Sequence, residues 1–390
     1  MSAIKLYKIN IEEERLAKLK LKLQQTDFPD ELEDALWAYG APLKDIKELA
    51  TFWIEKFDWR EVEKKLNHLP HFQTPITVEG FGSLDVHFIH QKSDVNNAIP
   101  LLFVHGWPGS FIEVTKLLPL LRGDKGRQAF HVVAPSLPNY GFSSRVTKKG
   151  FGLGQHAEVL HKVMPALGYN RYDWGVAITR IIGSKYPQHC KACHINLIPA
   201  VEPAWTAEHP KPEYTKREKA ALAELEILRT EGTGYFSIQS TKPATLAFLL
   251  HDSPVGLLAW IYEKLHAWSD SYPWTPDEVL TWVSIYYFST AGPAASTYTY
   301  FAAAHDPKYN FSSFSAYMDV PLGLAAFPRE LANAPESWWS SLGPILSKKT
   351  FQKGGHFAAW ERPDDIAGHF CEMFGPGGPA EHVLMEDVPF

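Results

Sequence analysis

The chain has 390 residues, 45% of them hydrophobic, with 38 lysines and arginines against 44 aspartates and glutamates and only three cysteines. That length and apolar fraction exclude a disordered chain, the formal charge of -6 leaves no footprint for nucleic acid or an anionic membrane surface, and three cysteines cannot build a disulfide framework. With no run of about eighteen apolar residues, and an N-terminus that lacks the layout of a secretory signal, the sequence reads as a soluble cytoplasmic protein with a small or neutral partner and no membrane span.

Residues 1–95 form a first unit. Ile11, Leu16, Leu19 and Leu23 recur at helical spacing among Lys and Glu, Thr26-Asp27-Phe28-Pro29 ends that helix, and a second helix over 43–57 leads into Phe57-Asp58-Trp59-Arg60. Residues 84–90 alternate like a strand. The apolar run from Pro100 reads as a buried parallel strand that stops on His105-Gly106-Trp107-Pro108-Gly109-Ser110. The exposed N–H groups of such a turn suit a developing oxyanion, although ordinary strand-to-helix junctions share its composition. A helix is expected from Phe111, a strand over 130–134, a helix over 154–167 closed by Gly168, another over 174–186, and a strand over 194–199. Strand, helix and strand in that order imply a mainly parallel sheet. Cys190 and Cys193, in His-Cys-Lys-Ala-Cys-His, read as structural thiols rather than metal ligands.

From about residue 201 to 311 the pattern turns helical, aromatic and proline-interrupted. It suits a lid that roofs a substrate cavity and excludes water, or an ordinary helical subdomain. Residues 317–326 return to strand and turn, and Gly354-Gly355-His356 precedes a final helix. The resulting class is α/β: an N-terminal helical extension (1–95) on the core and lid, a core in two halves (96–200 and 312–390), and a helical lid (201–311) between them.

No Gly-x-Ser-x-Gly occurs, so a serine elbow is excluded. Asp173, with Gly175 two places on, is the candidate nucleophile, and a helix cap is the other reading of the same residue. A carboxylate that attacks an sp³ carbon makes an alkyl ester, which water must then cleave with the help of a base. That chemistry suits epoxides or alkyl halides.

Taken with Phe57-Asp58-Trp59-Arg60 and Leu66-Asn67, the His105–Ser110 turn, Asp173-Trp174-Gly175 and Gly354-Gly355-His356-Phe357-Ala358-Ala359, nearly the whole chain resembles the α/β-hydrolase-fold epoxide hydrolases of the microsomal type, particularly soluble fungal members. The resemblance implies Asp173 as nucleophile, His356 as the base that activates water, and Glu330 as the acid that orients His356. It implies an oxyanion hole from the backbone of Trp107 and Trp174. It also implies two lid tyrosines that grip the epoxide oxygen, Tyr235 and Tyr300, with Tyr298 as the fallback for the second. The implied reaction adds water to a small apolar epoxide to give a vicinal diol, without cofactor or metal; a homodimer stays open.

One stretch departs from the family. Only Tyr169-Asn170-Arg171-Tyr172 separates Gly168 from Asp173, too few residues for a loop and a full strand. A deficit of about five residues, at roughly 3.3 Å each, displaces Asp173 by some 16 Å along the sheet unless the preceding helix gives way. This motivates a second reading, a catalytically impaired relative that binds a ligand without turning it over. A carboxylate-nucleophile dehalogenase is a weaker third.

Overall fold

In the computed structural model, which describes residues 4–123, 127–170 and 178–381 and the backbone alone of Asp173–Trp174, the chain opens on β1 (Lys5–Leu6), α1 (Glu13–Gln24), α2 (Leu43–Glu55) and α3 (Trp59–Leu66). Helix α2 buries Ile46, Leu49, Ala50 and Trp53 at the spacing that puts them on one face. The Asp58 side chain caps α3 by accepting the Arg60 N–H at 2.8 Å. Buried Glu63 accepts the N–H of Ile11 at 2.7 Å and is gripped by Arg60 at 2.6 Å, while Asn67 exchanges two hydrogen bonds with Ile9. The Phe57–Arg60 stretch and Asn67 thus fasten the extended residues 9–11 onto α3. Trp59 then packs on Phe288, ring centroids 4.9 Å apart, and Arg15 donates to the carbonyls of Tyr287 and Phe288, so the N-terminal unit braces the helices described below.

Strands β2 (His71–Val78), β3 (Gly82–Gln91), β4 (Ile99–Leu102) and β5 (Phe130–Pro135) follow, then α4 (Leu153–Ala166), β6 (Asp173–Trp174), α5 (Ile178–Lys185) and β7 (Cys193–Ile195). Six helices occupy the stretch before β8: α6 (Lys216–Ile227), α7 (Gly234–Thr241), α8 (Pro243–Asp252), α9 (Pro254–Ala267), α10 (Pro276–Tyr287) and α11 (Tyr298–Ala304). The chain closes with β8 (Leu322–Ala326), β9 (Ile345–Thr350), α12 (Ala358–Glu361) and α13 (Pro363–Phe374). The strands form two sheets, ordered β1-β2-β3-β5-β4-β6 and β7-β8-β9. Every pairing among β4–β6 and among β7–β9 is parallel, while β1, β2 and β3 add antiparallel strands at one edge.

Several sequence expectations need correction. The stretch after Phe111 makes only a short 3₁₀ turn, Phe111–Val114, because β-branched Val114 and Thr115 and then Pro119 discourage a regular helix. Of the helix expected over 174–186, Trp174 is strand, residues 175–177 lie outside the described residues, and Ile178–Lys185 is helix. The strand expected over 194–199 is the three residues of β7, after which Asn196 turns its amide to other work and Ile198 makes an isolated bridge to Asn333.

The shortened stretch before Asp173 leaves its mark in the sheet. Helix α4 keeps its length to Ala166, Gly168 turns the chain at φ +87°, and among the described residues the strand that follows is Asp173–Trp174. Those two pair Asp173 with Leu101 and Trp174 with Leu102. At roughly 3.3 Å per residue, the backbone of Asp173 lies about 13 Å along β4 from the level of His105. Among the described residues β6 and β7 share no ladder, and the sheet is divided there.

Candidate active site

Three neighbouring parallel strands deliver the centre of the site from their C-terminal ends, where open α/β sheets place their ligands. After β9 the chain turns at Gly354, φ +117°, and at Gly355, where a Cβ would stand 2.4 Å from the carbonyl oxygen of Trp268. This close approach lets the His356 N–H donate to that same oxygen at 2.8 Å and sets the imidazole. Its Nδ1 lies 2.6 Å from Oε1 of Glu330, which follows β8 and is buried. Glu330 also accepts the Leu331 N–H through Oε1 and the amide of Asn196, just past β7, through Oε2, both at 2.7 Å. The Asn196 amide lies 3.2 Å from the carbonyl of His356 as well, and so ties acid and base together.

Above this pair stand aromatic rings. Trp268, at the end of α9, packs against His356 (5.3 Å between centroids), Tyr235 (5.1 Å) and Trp107 (6.1 Å). Tyr235 stacks on Trp107 at 5.1 Å with planes 10° apart, and Tyr300 stands edge-on to both, its ring centroid 6.1 Å from that of Tyr235. The structure therefore gathers His356, Glu330, Tyr235, Tyr300 and Trp107 into one cluster. Tyr298, on the other side of α11, is 43% exposed and lies apart from it. The side chains of Asp173 and Trp174 lie outside the described residues; their backbone, level with Leu101 and Leu102, stops short of the turn that holds Trp107.

That turn is held from two sides. From the core, His105 donates from Nδ1 to the Gly106 carbonyl and accepts the Leu137 N–H at Nε2, an arrangement that needs the neutral ring; burial lowers its pKa to about 4. From above, the Trp282 indole donates to the Pro108 carbonyl and the Tyr286 hydroxyl to the Gly109 carbonyl, each at 2.6 Å. Fixing these carbonyls orients the intervening peptides, as preorganised oxyanion stabilisation requires.

Comparison with known proteins places this geometry. Residues 4–114 match the family described as epoxide hydrolase N terminus, and residues 99–219 match the alpha/beta hydrolase fold. Epoxide hydrolase 1 of Sus scrofa is 33% identical over 411 residues, covering 96% of this chain and 89% of that protein. The chain belongs to the epoxide hydrolase family. Among solved structures, the Aspergillus niger epoxide hydrolase superposes with a TM-score of 0.83 at 32% identity, covering 94% of this chain and 95% of that one. The juvenile hormone epoxide hydrolase of the silkworm Bombyx mori gives 0.85 at 29% identity, covering 96% and 95%. Among the described residues of this epoxide hydrolase family member no single helix is long and apolar enough to cross a membrane.

The electrostatics of the site follow from burial. Burial works against a charged imidazole at His356, but the charge and hydrogen bond of Glu330 outweigh it, with further help from Glu113 and Glu361, and its pKa is raised. Burial pushes the Tyr235 phenol up to about 12 despite the lowering influence of the neighbouring Tyr300, and pushes Tyr300 well above its ordinary range. Both phenols therefore hold their protons at any ordinary working pH.

Sequence reasoning missed four participants: Asn196, Trp268, the Trp282–Tyr286 clamp and Glu113. Asn196 left a legible signal, an amide set between Ile195 and Leu197 in an otherwise apolar run. Glu113 left one too, an acid between Ile112 and Val114 directly after the turn. Its Oε1 is buried without a hydrogen-bond partner and fills the space beside Gly109, only 1.6 Å from where a Cβ there would lie. Burial raises its pKa to about 8, while His356 and the Ser110 backbone pull the other way.

This acid makes folding pH-dependent. Its carboxyl ionises near 4.5 in the unfolded chain but holds its proton to about pH 8 when folded, so stability falls as pH rises between those values. Glu113→Gln removes this dependence while keeping the shape. In urea unfolding at pH 5.5 and pH 8, the variant should gain on the parent by about 3 kcal/mol at the higher pH. A gap that stays constant with pH would show that the carboxyl titrates normally.

Proposed function

We propose that this chain adds water to an apolar epoxide and releases a vicinal diol, with Asp173 as nucleophile, His356 as base, Glu330 as its orienting acid, Tyr235 and Tyr300 as proton donors, and the backbone of Trp107 and Trp174 as oxyanion hole. The observation that carries the reading is the His356–Glu330 pair, 2.6 Å apart with the acid buried, beneath two phenols whose rings pack edge to face. In the first step the carboxylate attacks a ring carbon, the C–O bond breaks, and the oxygen takes a proton from a phenol, giving the hydroxyalkyl ester. In the second, His356 takes a proton from water as its oxygen adds to the ester carbonyl. Collapse of that adduct expels the diol oxygen, which leaves as the second hydroxyl with the adduct's own proton, and restores the carboxylate, while the imidazolium proton returns to the phenolate left by the first step. Glu330 stabilises the imidazolium that forms in between.

Two phenols converging on one point favour an epoxide oxygen over a departing halide, which needs no proton. The aromatic walls of Trp107, Trp268 and the tyrosines favour an apolar substrate.

Single turnover of excess enzyme with styrene oxide in ¹⁸O-water tests the reading. The expected result is diol that carries ordinary oxygen at first, label in the Asp173 carboxylate, and no diol from Asp173→Ala. The Leu101 register of β6 makes this a stringent test, because a carboxylate that takes up substrate must stand level with Trp107. An unlabelled Asp173 and no diol would leave the ligand-binding reading in its place.

A further inference from the structure

On the far side of α11 from the reaction centre lies a second cavity of about 970 Å³. Helix α11 is the partition. Tyr300 points inward to Trp107, whereas Tyr298 and Phe301, 43% and 41% exposed, face the second cavity. The floor is apolar, and the room comes from small side chains of α8 and the segment before α11, among them Ala244, Ala247, Ala294 and Ala295. Phe248, 79% exposed, overhangs one wall.

The rim carries the opposite character. Arg145, Lys148, Lys149 and Lys242 surround the opening, on a chain whose overall charge is negative. Among the described residues none of the four has a carboxylate partner; Lys148 and Lys242 reach only the backbone carbonyls of Gly80 and Thr241. Asp252, the acid of the lining, is already held by Lys22 at 2.7 Å. An apolar trough of ligand-binding size that ends in unneutralised cations is complementary to a molecule with an apolar tail and an anionic head.

We propose that this cavity binds a free long-chain carboxylate, its head between Arg145 and Lys149 and its chain along the alanine floor beneath Phe248 and Phe301. The site is separate from the reaction centre. It does not depend on whether Asp173 is catalytic, since none of His356, Tyr235, Tyr300 or Trp107 lines it.

Isothermal titration of the full chain with dodecanoate, below its micellar concentration, reads the proposal. The expected result is saturable one-to-one binding that weakens at least tenfold in Arg145→Glu/Lys149→Glu. Binding should weaken similarly for dodecanol, be blocked by Ala295→Trp, and be unchanged in His356→Ala. Far-ultraviolet circular dichroism melts establish that each variant is folded, and the two variants attack head and tail recognition independently. No saturable binding, equal binding by the charge-reversed variant, or competition by an epoxide occupying the reaction centre would overturn the proposal. So would sedimentation with phosphatidylserine vesicles in the absence of dodecanoate binding, which would make the basic rim a membrane-facing surface.

Discussion

His356→Ala should stop turnover by at least three orders of magnitude and, in doing so, trap the enzyme halfway. Without a base the ester bond still forms, because the first step uses the carboxylate and the phenols, but water has no proton acceptor. The variant should therefore release about one equivalent of bound substrate into covalent form and no diol, visible by intact-protein mass spectrometry as an added mass equal to the epoxide. Losses of this size are typical when one member of a nucleophile–base–acid set is removed. Steady diol production by the variant would remove His356 from the mechanism. A variant that neither turns over nor gains mass would place the fault earlier, at Asp173.

The paired phenols give the second large effect. Tyr235→Phe and Tyr300→Phe are each expected to lower the rate of ester formation about 10- to 100-fold, since the remaining hydroxyl still reaches the oxygen. The double variant should lose on the order of a thousandfold or more, because the alkoxide then leaves unprotonated into a site walled by apolar rings. Pre-steady-state quenching of Trp107 and Trp268 fluorescence on alkylation separates this step from hydrolysis. Equal rates for the double variant and the parent would show that the tyrosines are packing alone. Substrate binding should change little, so the effect belongs in the rate constant and not in affinity.

Much of this arrangement was legible in the chain. Periodicity located α1, α2, α4, β3 and β5 to within a few residues, because each buries one face and its spacing declares which. Glu330 and His356 could be named because the short motifs around them resemble those of a known family. What stayed hidden depends on tertiary neighbours. Nothing local in the helix that carries Trp282 and Tyr286 says that these side chains will reach the carbonyls of Pro108 and Gly109, more than 170 positions away in sequence. Trp268 read as one aromatic among many until its carbonyl proved to hold the His356 N–H. The helix expected from Trp174 is displaced at its start, since Trp174 itself pairs with Leu102 as strand. Counting residues revealed the shortage, and the pairing with Leu101 shows where along β4 it leaves Asp173.

The division of the sheet at that stub changes what holds the reaction centre together. The turn bearing Trp107 belongs to one block of strands, and Asn196, Glu330 and His356 belong to the other. Among the described residues no backbone ladder joins them, and side chains help to align the two blocks, among them the indole and phenol of α10 and the ring of Trp268. The helices that roof the site are therefore also its splint.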